Sequence, residues 1–244
     1  MRIVLLPVGG EIPRSTDAAE EIRVSEPTRG NRKHNWAQKQ KRRGKRCPVP
    51  HRRRCDVEER IPLHVTMRLQ EGLESLRRRQ TYPVVCQALC NGREYGEFRL
   101  HHYSVQSNHL HLIVEARDRV SLARGVQGLA IRIAKGLNKI WERRGKVFAE
   151  RYHALVLRTA RQIRNALRYV LGNAFKHDMN MLMKGWFDPC SSAAWFDGWK
   201  GRNGQPLRAR SLEGANVPVV AARGYLLRIG WRRWGLLDPT ECPK

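Results

Sequence analysis

Beyond residue 61 the chain alternates between two hydrophobic periods. Leu63-His64-Val65-Thr66-Met67 is β-rich and alternating, which predicts a strand. A mixed helical stretch follows over roughly 71–91, with Leu73, Leu76, Val84, Val85 and Ala88 apolar; Pro83 either breaks it or starts a second helix. Phe98–Val105 predicts a second strand, Gln106-Ser107-Asn108 the turn after it, and HLHLIVE (109–115) a third strand. Ser121 is the expected N-cap of a helix running to about residue 143. YHALVLR (152–158) is the fourth strand, and Thr159 caps a last helix from 160 to about 176. The order is β-α-β-β-α-β-α. Its first six elements fit an α+β, ferredoxin-like split βαβ plan: a four-stranded antiparallel sheet with two helices on one face. The C-terminal helix carrying Tyr169 is an addition to that plan.

Outside this pattern the chain changes character. Residues 1–28 mix Gly, Pro and acidic residues without a period and read as a flexible tail. Residues 29–54 hold twelve Lys or Arg and no Asp or Glu, Arg42, Arg43, Lys45, Arg46, Arg52, Arg53 and Arg54 among them. Such a block repels itself; it is either a solvated tail or an arm laid along nucleic-acid phosphates, and the basicity of the whole chain favours the arm. The expected organisation is a flexible basic arm (1–60), an ordered domain (61–177) and a loop-rich basic and aromatic extension (178–244). Within the extension, YLLRIGWRRWGLL (225–237) reads either as a phosphate-and-stacking surface or as a short helix docked on the core.

Charge narrows the partner. Lys plus Arg number 47 against 22 Asp plus Glu, a net +25 over 244 residues. A chain that basic expects a polyanion, and nucleic acid is the commonest. Against a membrane role, no apolar run reaches the roughly 18–20 residues needed to span a bilayer. The apolar opening, residues 1–8, is too short for a secretory signal. Nothing points to a small-molecule substrate. The six cysteines (Cys47, Cys55, Cys86, Cys90, Cys190, Cys242) form no C-x-x-C pair, so reduced thiols in a cytoplasm are expected. Cys86 and Cys90 are spaced to share a helix face as half a zinc site, but packed core thiols are the simpler reading.

Two constellations carry chemistry. In His109-Leu110-His111, residues two apart on a strand share a face, so both imidazoles project together while Leu110, Leu112 and Val114 point into the core. Two imidazoles on a rigid strand can share a divalent metal; a bare H-x-H is more often two ordinary histidines. On the last helix, Ile163, Ala166, Leu167, Val170, Leu171 and Ala174 form an apolar stripe. Asn165, Tyr169 and Asn173 lie four apart on a separate polar face, with Arg161, Arg164 and Arg168 beside them. A tyrosine hydroxyl among arginines suits attack on a phosphate, although taken alone it is more often an ordinary exposed tyrosine on a basic helix.

Together these segments resemble a known family. The stretch from Tyr103 through Asn108-His109-Leu110-His111-Leu112-Ile113-Val114 is similar to the strand motif of the single-tyrosine HUH transposases, above all the REP-associated tyrosine transposases with their M-P-N-H-V-H-L-L-V. About 55 residues on, Arg168-Tyr169-Val170-Leu171-Gly172-Asn173-Ala174-Phe175-Lys176-His177 resembles that family's Y-I-x-x-N-P-V-x-H helix. Between them, Val147-Phe148-Ala149-Glu150-Arg151-Tyr152-His153 is similar to the segment before the fourth strand. The resemblance covers about residues 61–177. It departs at Gln106-Ser107, in place of Met-Pro, and at Ala174, in place of Pro, neither of which removes a chemical group.

The resemblance implies a ferredoxin-like fold and a bacterial enzyme that nicks and joins single-stranded DNA beside hairpins. His109 and His111 match the paired metal ligands, Tyr169 the nucleophile and Asn173 the third ligand. Magnesium or manganese suits such a site, with its oxygen ligand and open phosphate position. Tyrosine attack would leave a 5′-phosphotyrosine and a free 3′ hydroxyl. His153 and His102 are candidates for proton transfer, and Tyr152 is the alternative nucleophile, without an Asn partner. The implied location is the cytoplasm, at the nucleoid; both monomer and homodimer are open. Rival readings are a catalytically silent, domesticated hairpin-binding protein, a replication-initiation or mobilisation nuclease of the wider HUH class, and an RNA-binding module of the same fold type. The last expects sheet-face aromatics, which are sparse here. The first would have no reason to keep His109, His111, Tyr169 and Asn173 together.

Overall fold

Alternation along one strand divides the molecule into two faces. The computed structural model describes residues 56–173, 187–201 and 203–240. Its strands are β1 (Leu63–Arg68), β2 (Glu94–Tyr95), β3 (Phe98–Val105), β4 (His109–Ala116) and β5 (His153–Val156), all antiparallel in the order β2-β3-β4-β1-β5. Leu110, Leu112 and Val114 of β4 enter one core, while Ile113 enters a second core on the opposite face.

Without β2, the order β3-β4-β1-β5 is the split βαβ plan, with the first strand between the third and fourth. The expected four-stranded sheet is corrected to five strands. Gly96, at φ 55°, turns the chain so that Tyr95 pairs with Phe98 and Glu94 with Arg99, adding a two-residue edge.

The first core is closed by α1 (Tyr82–Gly92) and α2 (Arg119–Ile140), which pack on each other. Val85 and Leu89 of α1 and Leu122, Val126, Leu129, Ile133 and Leu137 of α2 bury against Leu63, Val65, Leu110 and Leu112. The helix expected over 71–91 begins only at Tyr82; Pro83 sits in its first turn, where the missing N–H is no loss, and the chain before it runs in turns. The cap of α2 is Asp118 rather than Ser121: the Ser121 backbone N–H donates to Asp118 Oδ1 at 2.7 Å.

The second face is covered by α3 (Ala160–Gly172). Thr159 caps it in a reciprocal box with Gln162. Ile163, Ala166, Leu167, Val170 and Leu171 pack with Ile113 and Leu157. Phe196, Trp199, Leu227, Trp231 and Leu237 complete this core from the C-terminal segment. There, α4 (Tyr225–Arg228) and a 3-10 turn, Gly230–Trp234, lie against α3. Residues 225–237 form a short helix and turn docked on the core: Trp231 is 1% exposed and its Nε1 donates to the Leu227 carbonyl at 3.0 Å, while Trp234 keeps an exposed ring. Among the described residues, no helix is long and apolar enough to cross a membrane.

Candidate active site

The face under α3 carries the histidines. On β4, His109 and His111 share it, with ring centres 4.7 Å apart. β1 lies beside β4 with Thr66 opposite His111, so His64 and Thr66 face the same way. His64 Nε2 stands 3.1 Å from His111 Nδ1, and Thr66 Oγ1 stands 3.3 Å from the same nitrogen. β5 adds His153 opposite Thr66. Over this cluster α3 brings Tyr169, half-buried, whose ring meets that of His111 edge to face at 5.1 Å and that of His64 at 5.9 Å.

Of the residues expected from sequence, His109, His111 and Tyr169 thus come together. Asn173 closes α3 as its C-cap, one turn beyond Tyr169, and is buried. Along α3, Arg161 is exposed with its guanidinium 5.6 Å over the Trp234 ring. Arg164 donates to the carbonyls of Gly235 and Leu236 at 3.2 and 3.3 Å, and Arg168 is half-buried. The basic block containing Arg42, Arg43, Lys45, Arg46, Arg52, Arg53 and Arg54 lies outside the described residues, as does 174–177. Tyr152 packs with the first core. His102 sits on β3 against Phe196, its Nδ1 3.4 Å from Ser192 Oγ, so the histidine near the cluster is His153.

His64 was not among the expected residues. Its signal was present: Leu63, Val65 and Met67 mark the core face of β1, which leaves His64 on the other side, and the split βαβ order puts that strand next to the H-x-H strand.

Burial governs the electrostatics. It lowers His111 to about 3, helped by His64 and His109 nearby, and lowers His64 to about 4, helped by His153. Both rings are therefore neutral at ordinary pH, the form in which imidazole binds metal. His111 Nε2 is buried with no hydrogen-bond partner, and a bare ring nitrogen there is a lone pair available to a cation. These observations fit a divalent metal. Among the described residues no group of three or more His, Cys, Asp or Glu is arranged to hold one, so a cation here needs amide or phosphate oxygens beside the imidazoles.

Comparison with known proteins adds the following. Residues 60–173 match the family model described as IS200-like transposase. Among solved structures, the chain is similar to a REP-associated tyrosine transposase bound to a REP hairpin, at 16% identity and a TM-score of 0.47, over 59% of this chain and 82% of that one. No curated protein matches the chain.

Proposed function

From the match of residues 60–173 to the IS200-like transposase family model, we propose that the chain nicks and joins single-stranded DNA next to hairpins, with Tyr169 as nucleophile. The observation that carries this reading is the approach of Tyr169 on α3 to His111 on β4, ring centres 5.1 Å apart. It puts a phenol beside the neutral imidazoles of His111 and His64, held on the adjacent strands β4 and β1.

In the proposed reaction the Tyr169 oxygen forms a bond to phosphorus and the P–O3′ bond breaks. The phenol loses its proton and the departing 3′ oxygen gains one, leaving a 5′-phosphotyrosine and a 3′ hydroxyl. The phosphoester energy is retained, so a 3′ hydroxyl can reverse the step and join strands. His109, His111 and Asn173 would hold the metal, Mg2+ or Mn2+. When bound, it would neutralise the phosphate charge that repels an attacking oxygen. The chain's own part is positioning: β4 fixes both imidazoles, α3 fixes Tyr169 and Asn173 one turn apart, and the packing of α3 on Ile113 keeps these two sets in register. Arg161 and Arg168, with the basic block at 29–54, would hold DNA phosphates. The work would take place in the cytoplasm, on the nucleoid.

The test is incubation of the full chain with a 5′-hairpin single-stranded DNA library and Mn2+, followed by a denaturing gel. A protein–DNA adduct that disappears in Tyr169→Phe is expected. DNA retarded in a native gel, with no adduct under any divalent metal, would replace this reading with a hairpin-binding protein that does not cut.

A further inference from the structure

The contact between His64 and His111 constrains which His111 nitrogen is free. A hydrogen bond between two rings needs one donor and one acceptor. If His64 Nε2 donates, His111 Nδ1 accepts, and the only proton of the neutral His111 ring sits on Nε2. That N–H would then be buried without an acceptor, since His111 is 4% exposed and its Nε2 has no partner. If His111 Nδ1 donates, the bond to His64 Nε2 at 3.1 Å is made, and Thr66 Oγ1 at 3.3 Å is a second acceptor for the same proton. Nε2 then carries a bare lone pair on the side away from β1. The first arrangement buries an unpaired donor, whereas the second buries a ligand atom.

We propose that His64 is the positioning residue of the site: by accepting the Nδ1 proton of His111, it fixes the tautomer and ring orientation in which His111 presents Nε2 to the metal. This rests on the reading of His111 as a metal ligand. Partners of this kind commonly set ligand tautomer and basicity, and their loss weakens metal binding by about 10–100-fold. His64 is suited to the role by its neighbours. Leu63 and Val65 are wholly buried on the opposite face, so the backbone that carries it is held by the main core. Tyr169 closes over the ring edge to face.

Two measurements on the full chain test it. Imidazole nitrogen–proton correlation NMR on the metal-free wild type reads the His111 tautomer without any substitution. Protonated Nδ1 is expected, and protonated Nε2 would overturn the proposal. Mn2+ affinity, followed by the EPR signal of free Mn2+, is then compared among wild type, His64→Leu, His64→Gln and His111→Ala, each checked for wild-type circular dichroism. His64→Leu should weaken Mn2+ binding by about 10–100-fold. His64→Gln, whose amide oxygen can accept the same proton, should recover most of it. Unchanged affinity in His64→Leu overturns the positioning role. Failure of His64→Gln to recover affinity also overturns it, because His64 would then be a ligand itself. If His111→Ala binds Mn2+ as wild type does, the metal-site reading fails instead, whatever His64 does.

Discussion

Glu115 and His101 face each other across β4 and β3, with 3.2 Å between Glu115 Oε2 and His101 Nε2 and their side chains 4% and 1% exposed. The same carboxylate accepts the backbone N–H groups of Arg223 and Gly224 at 3.1 and 3.0 Å. One side chain on β4 thereby ties the start of α4, within the C-terminal segment, to the sheet. Burial works to raise this carboxyl, but His101 and the two backbone donors outweigh it and hold it below the usual carboxylate range. A lowered carboxyl stabilises the fold above its unfolded pKa, near 4.3, and that stabilisation is lost as pH falls through the lower folded value. The melting temperature of wild type should therefore drop below about pH 4.3. Glu115→Gln should cost about 1–3 kcal/mol at neutral pH and show a flatter acid limb. Parallel melting curves for the two proteins across that range would refute the assignment.

Arg77 and Asp188 form the other anchor of the segment. The guanidinium donates to both carboxylate oxygens, at 2.7 and 2.9 Å, and to the Val105 carbonyl at 2.8 Å. Asp188 is wholly buried and Arg77 about a quarter exposed. Asp188→Ala leaves a mostly buried cation short of its partner and should destabilise by about 1.5–3 kcal/mol in urea unfolding. A change within a few tenths would mean that solvent replaces the carboxylate.

These anchors also mark the limit of what sequence alone makes legible. Residues in one element announce themselves through its period: the H-x-H face of β4, the stripe of α3 and the Thr159 cap are all local patterns. His64 belongs to the same site but meets His111 only through strand pairing, and no local period contains both. β2 is two residues long, too short to carry a period. Phe196, Trp199 and Trp231 build the second core from loops and short turns, where apolar residues keep no spacing. Asp118 and Ser121 are both good capping types three residues apart, and only backbone geometry decides between them.

Two glycines of α2 should respond oppositely to alanine. At Gly125 an added Cβ would lie 2.1 Å from Phe98 Cγ, with Cδ2 and Cβ of the same side chain at 2.4 and 2.6 Å. The helix sits on the ring of the first β3 residue, and Phe98 is fully buried, so neither side can yield. Gly125→Ala should destabilise by about 1–3 kcal/mol. At Gly128 the near atom is the Arg132 guanidinium at 2.8 Å, the far end of a flexible chain. There the gain in helix propensity prevails, and Gly128→Ala should stabilise by about 0.5–1 kcal/mol. Equal effects at the two sites, measured by urea unfolding, would contradict this packing of α2 on β3.

Arg161 and Trp234 allow the proposed DNA face to be tested by two separable effects. The guanidinium lies 5.6 Å over the ring, and Trp234 is 50% exposed. A charge on a phosphate contributes through counterion release, which appears as the slope of log affinity against log salt, about 0.7 per contact on single strands. A ring on a base contributes about 1–3 kcal/mol, largely independent of salt. Arg161→Gln should therefore flatten the salt dependence of hairpin DNA binding by about 0.7. Trp234→Ala should lower affinity by about 5–150-fold at every salt concentration without changing the slope. If Trp234→Ala instead changes the slope, its role is to hold Arg161 in place rather than to stack. If neither substitution alters binding, DNA does not cross this end of α3, and the phosphate contacts must be sought at its other end, beside Arg168 and Tyr169.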